Sequence, residues 1–234
     1  MMILQKHADN IRRRIIEESY KNQTAHVGSC LSAVEIMTVL FFKIMKPGDR
    51  FIMSPGHKAL LYYSVLVEKG ILDEIDLKKL GGHPIRNPKI GIEVSTGSLG
   101  HGLSLGCGLA LAGNRTYVLL SDGDFDEGST WEAIMFAGKR RIGNLMGIVD
   151  CNRFSAYRKI DDHFSNYGAR LQYFDWNVKR CDDGHSLDCL KMMMGWPTCS
   201  EPTMISANTI KGKGLPRFEY KLESHYWRVT KEDL

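Results

Sequence analysis

The chain has 234 residues, 31 Lys and Arg against 27 Asp and Glu for a formal charge of +4, and 43% hydrophobic residues. This ordinary globular usage excludes a disordered, collagen-like or disulfide-scaffold chain, and about 70% of the unfolded surface can be buried without help from metal or disulfides. So small a positive excess, with no run of four consecutive Lys or Arg, leaves no footprint for nucleic acid. No stretch of 18 uninterrupted apolar residues offers a membrane span.

The first segment, MMILQKHADNIRRRIIEESY, is charged from its first turns and lacks the apolar core and cleavage site of a signal peptide. Ile3, Ile11, Ile15 and Ile16 at near-helical spacing predict an amphipathic helix over 3–20. LSAVEIMTVLFFKIM (31–45) is apolar nearly all round, which predicts one buried helix closed by Pro47-Gly48. Ser54-Pro55-Gly56 breaks the chain before a helix from His57 to about Lys69. Glycines with Pro84 and Pro88 make 81–104 either a plain long loop or backbone built to pass close to a ligand.

From residue 115 the rhythm changes. TYVLLS (116–121), LMGIVD (145–150), WNVKRC (176–181) and PTMISANTI (202–210) are short apolar runs of strand character. Helical patterns lie between them: one in EGSTWEAIMFAGKR, one ending near Phe174 and one at 187–194. Strands alternating with helices predict an α/β fold with a mainly parallel sheet flanked by helices, in a single domain over 1–234. Ligands of such sheets sit at the carboxyl ends of strands, here 121–128, 150–156, 182–185 and 211–214. The six cysteines (Cys30, Cys107, Cys151, Cys181, Cys189 and Cys199) show no C-x-x-C and no close pairing. Three of them lie in apolar or Gly-rich surroundings, as buried free thiols do, and no zinc site and a cytoplasmic protein are the expectation.

Ser121-Asp122-Gly123-Asp124-Phe125-Asp126-Glu127-Gly128 holds the sharpest motif. An EF-hand fails here, because Glu127 stands where the sixth position needs glycine and Ala133 where the twelfth needs glutamate. Taken alone, the loop could equally be a set of helix-capping carboxylates. Asn152 shifts the balance, ending the next strand 30 residues after Asp122. A carboxylate and an amide oxygen from neighbouring strand ends suit Mg²⁺, which keeps phosphate oxygens and water in its other positions. Gly123 would let backbone N–H groups approach a phosphate.

An Asp-Gly after one strand and an Asn after the next resemble the thiamine-diphosphate signature, and the flanking blocks resemble the transketolase family. The blocks are AHVGSCLSAVEIM (25–37), DRFIMSPGHKALLYYSVL (49–66), GGHP (81–84), VSTGSLGHGLSLGCGLAL (94–111), SDGDFDEGSTWEA (121–133), NLMGIVDCN (144–152), DDGH (182–185) and TIKGKG (209–214). The resemblance implies a thiamine-diphosphate-binding fold of the diphosphate type. It implies that Asp122, Asn152 and the main-chain carbonyl of Phe154 hold Mg²⁺, with Ca²⁺ or Mn²⁺ able to substitute. Gly123 and His57 would contact the diphosphate, with Lys211 near it, and His225 would reach the diphosphate or the substrate. Gly97 and Leu99 would meet the aminopyrimidine, and the Phe154 ring would cover the thiazolium. His26 and His83 match histidines that bond substrate hydroxyls and shuttle protons, work suited to a side chain that titrates near neutrality. Glu127 matches an acidic residue that joins two cofactor sites across a dimer.

Three positions depart from the family pattern: Ser121 and Ala25 replace glycines, and His101 stands where glutamine is frequent, as in two-chain forms. A full transketolase carries a second domain that binds the pyrimidine and supplies an activating glutamate, and then a third; 234 residues hold neither. The expectation is the N-terminal subunit of a split enzyme, trimmed at its C-terminal end, in an α2β2 heterotetramer with a chain supplying the pyrimidine domain. Its expected chemistry moves a two-carbon ketol unit from a ketose (phosphate) to an aldehyde. The rivals are a decarboxylating ligation like that of deoxyxylulose-phosphate synthase, separated by donor choice, and a non-catalytic regulatory subunit.

Overall fold

The computed structural model describes residues 2–160, 164–195 and 200–234. Five strands, β1 (Arg50–Met53), β2 (Thr116–Ser121), β3 (Leu145–Cys151), β4 (Asn177–Cys181) and β5 (Thr203–Asn208), form one parallel sheet in the order β1-β2-β3-β5-β4. The alternation of strand side chains splits the core in two. Tyr117, Leu119, Met146 and Ile148 face α1 (Met2–Asn22), α2 (Val27–Ser32), α3 (Val34–Val39), α4 (Ala59–Glu68) and α9 (Leu187–Met193). Val118, Leu120, Leu145 and Val149 face α6 (His101–Leu111), α7 (Gly128–Lys139) and α8 (Phe164–Tyr173). A short α5 (Leu77–Leu80) precedes the glycine-rich stretch. Among the described residues no helix is long and apolar enough to cross a membrane. The predicted α/β class holds, and β2 ends where the sequence places it.

Three expectations need correction, and one strand is unforeseen. The helix expected over 31–45 is instead the end of α2, α3 and a π-turn over Leu40–Ile44, with the break at Ala33 (φ −104°), next to Ser32, whose hydroxyl lies 2.6 Å from Asp150. Strand β1, unforeseen, is only four residues long. The glycine-rich stretch hands over to α6 at His101. Glycine lowers helix propensity, yet a Cβ on Gly106 would stand 2.5 Å from Val118 Cγ2, so a bare backbone lets α6 lie directly on the sheet. The cysteines are not all free: Cys181 at the end of β4 pairs with Cys189 of α9, their Cα atoms 6.0 Å apart. Cys30, Cys107 and Cys151 are buried free thiols, while Cys199 lies outside the described residues. Cysteine usage therefore does not carry the expectation of a reducing compartment.

Candidate active site

Because all strands run parallel, the loops after β1, β2, β3 and β5 open at one edge of the sheet. The pairing of Ser121 with Asp150 brings the next residues, Asp122 and the Cys151-Asn152 turn, side by side. Asp122 is buried and accepts the Arg153 N–H at 2.8 Å. Burial, and then the nearby Asp150 carboxylate, push its carboxyl up to about 7. Asn152 accepts the Phe154 N–H at 3.1 Å on Oδ1 and gives its Nδ2 to Asp150 at 3.0 Å. The other two aspartates of the motif do different work. Asp124 accepts from Ser54 Oγ at 2.5 Å and the Gly100 N–H at 3.0 Å, tying the β2 loop to β1 and α6, whereas Asp126 pairs with Arg158 at 2.6 Å on the surface.

Above this pair stand four imidazoles drawn from distant segments. Ring centroids are 5.4 Å apart for His26 and His57, 6.4 Å for His26 and His83, and 5.2 Å for His57 and His225. His26 takes a left-handed backbone (φ 67°) at the start of α2, a conformation uncommon for a non-glycine residue. Burial, followed by the charges of Lys58 and of neighbouring imidazoles, holds His57 well below the ordinary histidine value. Burial, then His26 and Lys211, takes His225 down to about 3, and burial, then His83 and Lys211, lowers His26. These three rings are neutral at pH 7. Lys211 is buried, lies 5.2 Å over the Phe154 ring, and is brought down to about 8 by burial and then Lys58.

One cavity at this edge is lined by Ser29, His57, Lys58, Leu99, Gly123, Asn152, Phe154 and His225, and a neighbouring one by His26, His57 and His83. Gly97 touches the His83 ring: a Cβ there would stand 3.2 Å from His83 Cδ2. Glu127 and His101 are exposed at the starts of α7 and α6. Sequence reasoning missed two residues at the bottom of the site. Lys58 and Asp150 form an ion pair with both side chains fully buried. The available signals were a lysine opening the apolar run ALLYYSVL and an aspartate closing the apolar strand LMGIV.

The donors fit a magnesium–diphosphate group. Among the described residues no three His, Cys, Asp or Glu side chains converge on a metal position. One carboxylate with an amide oxygen leaves most of a coordination shell to phosphate and water, which is how Mg²⁺ is usually held. The absence of a side chain on Gly123 keeps the cavity open, since a Cβ would meet Leu99 Cδ1 at 3.0 Å. The hydroxyl of Thr96, in the turn containing Gly97, is buried without a partner.

Comparison with known proteins gives a consistent family. Residues 3–234 match the family described as "Transketolase, thiamine diphosphate binding domain". The chain is 36% identical to human transketolase over 251 residues, covering 96% of this chain and 40% of that protein. It is 35% identical over 255 residues to a 6-deoxy-6-sulfo-D-fructose transketolase subunit from Clostridium sp. (strain MSTE9), covering 98% of this chain and 92% of that subunit. The crystal structure of transketolase from Campylobacter jejuni subsp. jejuni superposes with a TM-score of 0.87 at 25% identity, over all of this chain and 42% of the other. The chain spans about 40% of the length of the first curated relatives it matches. With the match running along nearly its whole length, the chain belongs to the transketolase family, in its thiamine-diphosphate-binding domain.

Proposed function

We propose that this chain, as a single domain, is the diphosphate- and Mg²⁺-binding half of a two-chain enzyme that moves a two-carbon ketol unit from a ketose (phosphate) to an aldehyde. The observation that carries this reading is buried Asp122 at the end of β2, next to the end of β3, where Asn152 lines one cavity together with Gly123, His57, His225 and Lys58. Asp122, Asn152 and the carbonyl of Phe154 would hold the metal, and Gly123, His57 and Lys211 the diphosphate. Gly97 and Leu99 would bear on the aminopyrimidine, and the Phe154 ring would cover the thiazolium.

When bound, thiamine diphosphate supplies a nucleophilic ring carbon and a sink for the electron pair released as the C–C bond breaks. The protein's own part is to bind, orient and move protons. Neutral His57 and His225 each have an N–H to give to an anionic oxygen. His26, kept neutral by burial and then by His83 and Lys211, accepts a proton from a substrate hydroxyl, and His83 at the cavity mouth assists. Burial strengthens each of these contacts.

A partner chain supplying the pyrimidine domain and an activating glutamate is supported by two observations. The relative matched over 92% of its length is named as a subunit. In addition, α6 and α7 lie side by side, and their outer face carries Leu111, Met135 and Phe136, each between 42% and 58% exposed. Exposed Glu127 and His101 stand at the site end of the same two helices. Docking through this face would give the α2β2 assembly.

A decarboxylating ligation would use the same metal and diphosphate residues, so the donor decides between the two. A silent regulatory subunit would need neither the imidazole cluster nor Asp122 and Asn152, and all are present. The test is reconstitution: the chain, a pyrimidine-type partner chain, Mg²⁺ and thiamine diphosphate should together transfer ketol units from a ketose phosphate, and omission of either chain should abolish transfer. Robust turnover by this chain alone would overturn the two-chain reading, and turnover of pyruvate instead of a ketose would favour the decarboxylating one.

A further inference from the structure

A buried carboxylate that receives only donors sits directly beneath the metal site. Asp150 has no exposed surface and lies one residue before the end of β3. Its Oδ2 accepts from Ser32 Oγ at 2.6 Å, from Asn152 Nδ2 at 3.0 Å and from the Lys58 ammonium, and its Oδ1 accepts from Thr209 Oγ1. Each donor arrives on a segment that carries a site residue. Ser32 ends the helix that begins after His26, Lys58 follows His57, and Thr209 stands two residues before Lys211.

The contact with Asn152 has a chemical consequence. The two ends of a side-chain amide are alike in shape and opposite in hydrogen-bonding character. The Asp150 oxygen that Asn152 meets also takes the Lys58 ammonium and so acts as an acceptor, and the amide turns its NH₂ toward it and its oxygen away. The Phe154 N–H on the other side, 3.1 Å from Asn152 Oδ1, demands the same orientation. An amide turned the other way would offer a divalent cation two N–H bonds in place of a lone pair.

We propose that Asp150, paired with Lys58, is a positioning residue that fixes the Asn152 amide with its oxygen toward the metal–diphosphate group. This rests on the assignment of Asn152 as a metal ligand made above. Removing an outer partner of a metal ligand usually costs about 10–100-fold in metal affinity. Asp150→Asn alone would strand the buried Lys58 charge, so it is paired with Lys58→Met. In the double variant the new amide puts N–H bonds or a single oxygen where three donors now meet, and Asn152 loses its fixed direction.

The probe is Mn²⁺ with inorganic pyrophosphate, titrated into the full chain by calorimetry. A second readout follows the Asn152 side-chain amide by ¹⁵N nuclear magnetic resonance. In the wild type this NH₂ should exchange slowly with water. In Asp150→Asn/Lys58→Met the exchange should become fast, and Mn²⁺ affinity should fall at least about 10-fold. Thr209→Val, which removes a donor to the other carboxylate oxygen, should leave both readouts near wild type. Undiminished Mn²⁺ affinity in a folded double variant would overturn the proposal. So would a fast-exchanging Asn152 amide in the wild type, a result that does not depend on the variant folding. If the wild-type chain binds no Mn²⁺–pyrophosphate although its Asn152 amide is protected, the ligand assignment itself fails and the proposal falls with it.

Discussion

The main-chain N–H of His26 donates to the carbonyl of His225 at 3.0 Å, and the two rings meet edge to face with centroids 4.7 Å apart. One contact thus joins the start of α2 to a segment near the far end of the chain. The left-handed backbone of His26 persists because this bond and the first turn of α2, where the Ser29 N–H reaches the His26 carbonyl at 3.1 Å, hold it from both sides. The ring direction of His26 is set by the fold before any ligand arrives. Tyr226, 64% exposed, lies against both histidines with its ring centroid 4.8 Å from that of His225 and 6.3 Å from that of His26.

The division of labour among the imidazoles is open to direct test. His26→Ala and His83→Ala should lower kcat at saturating thiamine diphosphate by about 10²–10⁴-fold, the usual cost of a proton-transfer group. His57→Ala should raise the cofactor concentration needed and recover much of its rate with excess cofactor. Steady-state kinetics of the three variants in the reconstituted enzyme check this, and the reverse pattern would exchange the assigned roles.

Acid should destabilise the ligand-free chain. His225 is held at about 3 by burial, then His26 and Lys211, and His57 and His26 are also lowered, each by burial first. In the unfolded chain all three return to about 6.5. Between that value and the lowered ones the unfolded state binds protons that the folded state does not, so stability falls as pH drops below about 6.5. Melting curves at pH 7.5 and 5 should show a lower Tm at pH 5, and His225→Gln should lessen the difference. Asp122, pushed up to about 7, takes up a proton in the folded chain over the same range and offsets part of the loss, so a pH difference that His225→Gln leaves unchanged contradicts the neutral cluster.

How far the sequence reached depends on the range of each signal. β2 was legible to the residue because TYVLLS is an apolar run bounded by polar turns, and Asp122 and Asn152 followed from two consecutive strand ends. β1 is too short, at four residues, for periodicity to register. α6 was hidden by glycines whose use is close packing against β2, a tertiary fact. The Lys58–Asp150 pair spans 92 positions and Arg12 reaches Glu35 from another helix. No local pattern announces such partners. His185 is similar: its Nε2 accepts the Ile210 N–H at 2.8 Å, which places its proton on Nδ1 toward Glu35, also at 2.8 Å. That link steadies the loop leading to Lys211, and the DDGH block alone gave no hint of it.

The exposed face of α6 and α7 should matter for assembly and little for folding. Leu111→Glu with Phe136→Glu places two charges where apolar side chains face outward. Thermal stability of the lone chain should stay within about 0.5 kcal/mol per exposed substitution, while association with the pyrimidine-type chain is lost. Light scattering of the mixture, with cofactor and Mg²⁺ present, should find a heterotetramer for the wild type and separate chains for the variant. A heterotetramer formed equally by both would remove this face from the interface.

The central claim is that Asp122 anchors a metal-bound diphosphate, and calorimetry of thiamine diphosphate binding to the reconstituted two-chain protein in Mg²⁺ tests it most directly. Asp122 is the one carboxylate in the assigned ligand set, and its ionised form is costly in this buried setting until a cation arrives. Asp122→Ala should therefore weaken cofactor binding by about 3 kcal/mol or more, beyond what losing an outer partner costs at a metal site. Affinity equal to wild type in a folded Asp122→Ala protein would contradict the account.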